Sequence, residues 1–420
     1  MTADEFRRLT HNGHGRAIVY AAEHDVECFR ESIVDLCLHC RAYDPQIDGT
    51  HAVYALSLLD QMPAREDYYK MVLEALPDAG DDYDAVHRFH IAVCLAMNGD
   101  KHARRALYTH YNPGPKHGVH IALDFVDMDG LDGLRFVAAK LGGMMLAGIP
   151  ALDVGWLVSH SRERLGETSI QTALSGQATT DPRIAVFRGA VERSLQELGQ
   201  PCAQYICSGS ANYAELKPRL MEFKPGQLQR WGKFASAAEL ESAAHGLDES
   251  GDLDDTLHHL WIFGDRSFPI EPAKLIELVD SRDLKLARGA AAALVNVNHP
   301  GVRDLAKNLI REQRPIRDFA VGMLASNYDA GDHETVLEWF EEEEDIEVQH
   351  GMDVLMFWKQ HPDPISEIRM LNLLYDRTPC TQCREDAVER LIELGALTEQ
   401  MRVECSFDSS DEIRGLVSAE

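Results

Sequence analysis

Three short runs written in one frame constrain this chain more than anything else in it: Arg288-x-x-Ala291-x-x-Leu294, Arg303-x-x-Ala306-x-x-Leu309, and Arg317-x-x-Ala320 followed by Leu324. Their arginines are 15 and then 14 residues apart, so each run has the length of one short helix and two runs make a unit of roughly 30 residues. A small Ala at the third step lets a neighbouring helix come close, and Leu and Ile on the same stripe supply an apolar face. One helical hairpin cannot bury such a face alone, so hairpins must stack on one another. The stretch 272–327 therefore predicts an architecture, and by itself it carries no chemistry.

The other segments read as looser copies. Ile18, Val19, Ala22, Val26, Phe29, Ile33, Leu36 and Cys37 recur at spacings of three and four, which predicts a helical stripe over 16–42. Residues 51–61 and 68–76 make the next pair, with Pro63 and Pro77 at the turns. The pair 83–97 and 101–111 is joined by Asn98-Gly99-Asp100, where Gly is a helix C-terminal cap and Asp starts the following helix. Hairpin patterns continue at 116–128 with 131–146 and at 225–245 with 252–263, with a helix at 183–198 between them. Strand signals are nearly absent, so the fold class is all-α. Residues 171–182, rich in Gly, Ser and Thr and closed by Pro182, are a candidate linker. They divide an N-terminal helical-repeat half (1–170) from a C-terminal one (183–420) whose clearest repeats span 272–417, and one continuous superhelix is expected over two.

At 420 residues the chain exceeds one ordinary globular core, which favours an extended array. Forty-one basic against 69 acidic residues leave a charge of −28. Phosphate binding needs a concentrated basic footprint, so nucleic acid is not the expected partner; a basic protein is. Residues 1–16 are polar and charged, with no apolar core of a signal peptide. No apolar run approaches the ~20 residues of a membrane helix. A cytoplasmic protein is expected, with its nine cysteines reduced.

The pattern from Arg288 to Leu324, with His299-Pro300 opening its second helix, resembles the HEAT family of α-solenoid repeats. The segment Tyr375-Asp376-Arg377-Thr378-Pro379-Cys380-Thr381-Gln382-Cys383-Arg384, continuing to Arg414, is similar to the closing repeats of bacterial HEAT-like proteins, and Arg384 and Arg414 are again 30 apart. The resemblance covers about 272–417 and implies a right-handed α-α superhelix of stacked hairpins that binds a protein along its concave surface. A few members of the family are enzymes, and fold alone does not choose between these activities.

Several residue sets are candidates for chemistry. In Thr378-Pro379-Cys380-x-x-Cys383, Thr is an N-cap and Pro a first helical residue, which places Cys380 in a first turn where amides and the helix dipole lower a thiol pKa. The competing reading is two small buried residues. Cys37-Leu38-His39-Cys40 is a second pair; layers stacked roughly 8–10 Å apart separate the chain ends, so the two pairs are expected to be independent, with Cys37 in the core. His87, His90, His117 and His120 form two i,i+3 pairs one repeat apart, near Asp124 and Asp127, a spacing that permits convergence on a metal. This resembles HEAT-fold metal hydroxylases, which use His-Glu pairs, whereas the single such pair here is His333-Glu334.

Glu341 to Asp345 is an acidic run of the kind that is usually a solvated helix end. Trp231, Trp261, Trp339 and Trp358 are expected to pack between layers; as a pocket they resemble that of HEAT-like DNA glycosylases. No Gly-x-Ser-x-Gly elbow, Walker loop or Rossmann glycine pattern is present. No residue is assigned as catalytic, cofactor-binding or metal-binding. The expected function is a scaffold or adaptor for a basic protein, with a HEAT-fold enzyme (metal-dependent or glycosylase-like) and an acidic immunity or defence component as alternatives.

Overall fold

The computed structural model describes residues 1–44, 51–77, 82–113, 118–149, 154–198, 212–312, 316–342 and 348–418. Among these the secondary structure is helical throughout, with no strand. Two compact units are formed. The first consists of Met1–Pro201, Pro379–Glu385 and Leu397–Glu420, and the second of Cys202–Thr378 and Asp386–Ala396.

In the first unit, helices pack against their sequence neighbours and against the next helix but one. The Asp82–Met97 helix lies on both Ala52–Leu59 and Gly118–Asp129, and Val154–Leu165 lies on both Gly118–Asp129 and Pro182–Leu198. Leu131–Leu146 packs most extensively on Pro182–Leu198, where Gly142 allows backbone contact: a Cβ there would fall 1.9 Å from the Arg183 carbonyl oxygen. Two expectations are corrected here. Residues 171–178 are not a linker but the end of the Glu167–Ala178 helix, because Ile170, Ala173 and Leu174, at i, i+3 and i+4, are buried; the division between units follows Pro201. The stripe over 16–42 is interrupted, since His24 is extended and the chain runs Arg16–Glu23, a 3-10 turn Glu27–Phe29, then Arg30–Leu38.

The C-terminal residues of this unit close onto its beginning. The Ser409 amide donates to the Gly13 carbonyl at 2.8 Å, and Arg16 Nε pairs with Glu404 Oε1 at 2.9 Å. Arg384, fully buried, spans Asp408 (2.8 and 3.0 Å) and donates to the Asn12 carbonyl at 2.9 Å. At Gly15 the backbones touch, and an added Cβ would lie 1.8 Å from the Glu404 carbonyl oxygen. Since Gly15 has an ordinary φ of −60°, Gly15→Ala is a purely steric change. It is expected to destabilise the chain by about 1–3 kcal/mol, read as a lower urea midpoint, because neither backbone can retreat without unpacking its helix; an unchanged midpoint would show that the two ends are not in contact.

In the second unit the same neighbour-and-next-but-one packing recurs. Leu253–Ile262 lies on Pro225–Phe234 and Leu284–Leu294, Ala320–Ser326 on Pro300–Arg311 and Val348–Gln360, and Asp332–Glu342 on Pro364–Arg377. Two of the arginines of the sequence frame reach forward by one repeat. Arg288 meets Asp318 at 3.0 Å and Arg303 meets Asp332 at 2.8 Å, with Lys307 on the same buried carboxylate at 3.1 Å. Asn327 fastens the turn between these layers, donating to the Val297 and Met323 carbonyls and accepting from the His299 amide. His299 caps Pro300–Arg311, with Pro300 as first helical residue, as the His-Pro step in the sequence predicts.

Candidate functional site

Two helices of the second unit, Val348–Gln360 and Pro364–Arg377, and the second-unit part of a third, Thr381–Glu393, from Asp386 on, enclose a cleft of about 460 Å³. Its floor is apolar: Leu355, Met356, Trp358, Pro362 and Met370. Trp358 is buried and donates its indole N–H to Ser366 Oγ at 3.0 Å, so only carbon is presented to the cleft. Met356 is half-exposed (49%), and Met352, one turn earlier on the same helix face, is exposed to the same extent. Exposed methionine offers an apolar surface that adapts to whatever lies on it.

The wall is charged. Asp386, Glu389, Arg390 and Glu393 follow at i, i+3, i+4 and i+7, which is one helix face. Arg390 is committed within the chain, with Nε 2.7 Å from buried Glu367 and Nη1 2.7 Å from Glu393; these hydrogen bonds raise its pKa further. That leaves Asp386 and Glu389, both exposed, with no ion pair of their own among the described residues. The Asp386 carboxyl is pushed up by desolvation in the cleft and then by repulsion from Glu389, with Lys359 acting against both. Chemically the cleft is an apolar seat beside two carboxylates that make no ion pair among the described residues, with Lys359 facing them from the neighbouring helix.

No family model matches this chain, and no curated protein matches it.

The sequence candidates are placed elsewhere. Cys380 and Cys383 are buried. The helix begins at Thr381, two residues later than the Thr-Pro step predicts, and Cys380 is its cap, its Sγ accepting from the Cys383 amide at 3.4 Å. Cys37 is in the core, where burial pushes its thiol up to about 12 and suppresses thiolate chemistry. The expected wide separation of the chain ends does not hold, since Ser409 meets Gly13 within the first unit, to which both cysteine pairs belong.

His87 and His90 do not converge. His87 is fully buried and donates Nε2–H to the Leu36 carbonyl at 2.7 Å, while His90 lies 3.1 Å from Asp124. Asp127 instead meets His160 and Arg164. The side chains of His117 and His120 lie outside the described residues. Among the described residues no group of three or more His, Cys, Asp or Glu side chains is placed to hold a metal ion. His333 of the His-Glu pair donates to the His361 carbonyl at 2.6 Å. Of the acidic run, Glu341 is paired with Arg369 at 2.6 Å, and 343–345 lie outside the described residues. Trp231, Trp339 and Trp358 are buried, and Trp261 is partly buried against His258. No helix among the described residues is long and apolar enough to cross a membrane.

A second polar cluster, in the first unit, escaped the sequence reading. His51 is 2% exposed, and neither of its ring nitrogens has a hydrogen-bond partner among the described residues; the same holds for His87 Nδ1 and Ser409 Oγ. His51 and Ser409 both crowd Gly13, where a Cβ would lie 3.1 Å from His51 Cε1 and 2.1 Å from Ser409 Oγ. Burial, followed by the nearby His87, Arg384 and His11, lowers the His51 pKa to about 3. Burial lowers that of His87 to about 4. Both imidazoles are therefore neutral at pH 7.

Proposed function

We propose that the chain is a HEAT-like α-solenoid scaffold that holds a basic protein partner. What supports the solenoid is the packing of each helix on its neighbour and on the next but one, with arginines bridging layers about one repeat apart. The observation that carries the basic partner is how the chain uses its cations. Arg288, Arg303, Arg384 and Arg390 are held by carboxylates of the chain itself, and Lys274, Arg88 and Arg266 by helix-end carbonyls. With these basic residues committed in this way, the chain's charge of −28 sets the field that an approaching protein meets. Such a field acts chiefly on the rate of encounter.

The test is affinity capture on the purified chain at about 50 mM salt with elution at about 300 mM, followed by association kinetics of the recovered partner. A basic partner whose association rate falls tenfold or more over that range is expected. A neutral or acidic partner, or a rate indifferent to salt, would overturn the reading.

A further inference from the structure

We infer that the cleft between Val348–Gln360, Pro364–Arg377 and Thr381–Glu393 receives one turn of a partner's basic amphipathic helix, an apolar side chain resting on Met356 and a lysine or arginine lying against Asp386 and Glu389. This rests on the scaffold reading above and names the ligand class of one site on it.

Size comes first. The cleft holds about 460 Å³, room for the side chains on one face of a helical turn 5.4 Å long. The chemistry of the two sides then fixes what that turn must carry. The floor of Leu355, Met356 and Met370 offers no polar group, so the side chain facing it is apolar. On the wall, Arg390 already satisfies Glu367 and Glu393, and the pair left over, Asp386 and Glu389, are one turn apart on a helix and close enough to repel one another. A single cation against both relieves that repulsion. Lys359, reaching the cleft from the neighbouring helix, disfavours a second cation on its own side and so fixes which way the guest faces.

Two features favour a helix over other occupants. Met352 extends the apolar stripe of Met356 by one turn, a surface that a guest helix covers and a small amine does not. A second copy of this chain brings a further −28 of charge, which opposes self-association at an acidic cleft.

The probe is a fluorescent synthetic peptide of about 18 residues with lysine and leucine at helical spacing, titrated with the full chain and compared with a scrambled peptide of the same composition. The helical peptide is expected to bind at least tenfold more tightly than the scrambled one. Asp386→Asn with Glu389→Gln is expected to weaken it tenfold or more, as is Met356→Gln. Glu241→Gln with Glu277→Gln, which neutralises two exposed carboxylates of the same unit outside the cleft, is expected to leave binding unchanged. The substituted cleft residues are exposed, so circular dichroism spectra that overlay the parent's are expected for the variants. If the peptide binds but the cleft variants match the parent, the cleft assignment is overturned while a basic partner elsewhere survives. If no basic peptide binds even at low salt, both readings fall. Displacement of the peptide by a small polyamine at matching concentration, or self-association of the chain lost in Met356→Gln, would also overturn the assignment, in favour of a small cation or of a second copy.

Discussion

Arg384→Met is expected to lower the unfolding free energy by about 3–5 kcal/mol, the range seen when one partner of a buried ion pair is removed. The reason is local. Arg384 and Asp408 are both essentially inaccessible, and the guanidinium also satisfies the Asn12 carbonyl, so the variant leaves a buried carboxylate with no counter-charge and a partly buried carbonyl with one donor fewer. The loss should fall on the closure of residues 397–418 onto the first helices, because Asp408 also accepts from the Ser410 amide and its neighbour Ser409 donates to Gly13. Adding Asp408→Asn to Arg384→Met removes the stranded charge yet keeps an acceptor for Ser410, and about half of the lost stability should return. Urea unfolding of the two variants and the parent measures both effects. A loss below about 1 kcal/mol for Arg384→Met would show that the pair is not buried as described.

The second large effect is with acid. His51 and His87 have folded pKa values of about 3 and about 4 against an ordinary 6.5, so below pH 6.5 the unfolded chain binds protons that the folded chain refuses. Their contribution to stability is therefore fully present above pH 6.5 and is lost as pH falls toward the folded values. At pH 5 each has forfeited about 2 kcal/mol, roughly 4 together, because both remain neutral in the folded chain while their unfolded counterparts are charged. The structure supplies the cause: His87 Nδ1 has no acceptor to receive a new proton, and a charged His51 would sit near Arg384. His11 and His259, also lowered by burial, act in the same direction. The lowered carboxyls of Asp35, Asp181 and Asp363 contribute only nearer pH 4, below this window. Unfolding free energies measured between pH 7.5 and 5 should fall steeply. In His87→Gln, whose amide can still donate to Leu36, the slope should shrink by about one proton. A flat profile, or an unchanged slope in the variant, would contradict the burial of these rings.

The sequence carried the helical character of the chain because its signals are local. Asn98-Gly99-Asp100 is read from three adjacent residues, and in the structure Gly99 has φ +96° and Asp100 caps the next helix through the His102 and Ala103 amides. The arginine frame was legible for the same reason, although its forward reach to Asp318 and Asp332 became evident only with the partners in place. The closure of residues 379–385 and 397–418 onto residues 12–16 was not legible, since no local pattern says that Gly13 and Gly15 will meet residues almost four hundred positions away. Composition misled at 171–178, where small polar residues outnumber the Ile170, Ala173 and Leu174 stripe that decides the helix. The spacing of His87 and His90 places both on one side of a helix, but the angle between them is enough to send one into the core and the other to Asp124. The face of Asp386, Glu389, Arg390 and Glu393 was visible as a spacing. That Arg390 is already occupied, leaving Asp386 and Glu389 over an apolar floor, depends on Glu367 and Met370 from another helix.

The claim at the centre of this account is that the acidic surplus is put to use at a defined place on a stacked-helix scaffold. Amide hydrogen exchange of the full chain, with and without a saturating lysine–leucine helix, tests it most directly. The prediction is slowed exchange confined to Val348–Gln360, Pro364–Arg377 and Thr381–Glu393. Slowing spread evenly over the acidic helices of both units, or concentrated away from these three, would contradict it.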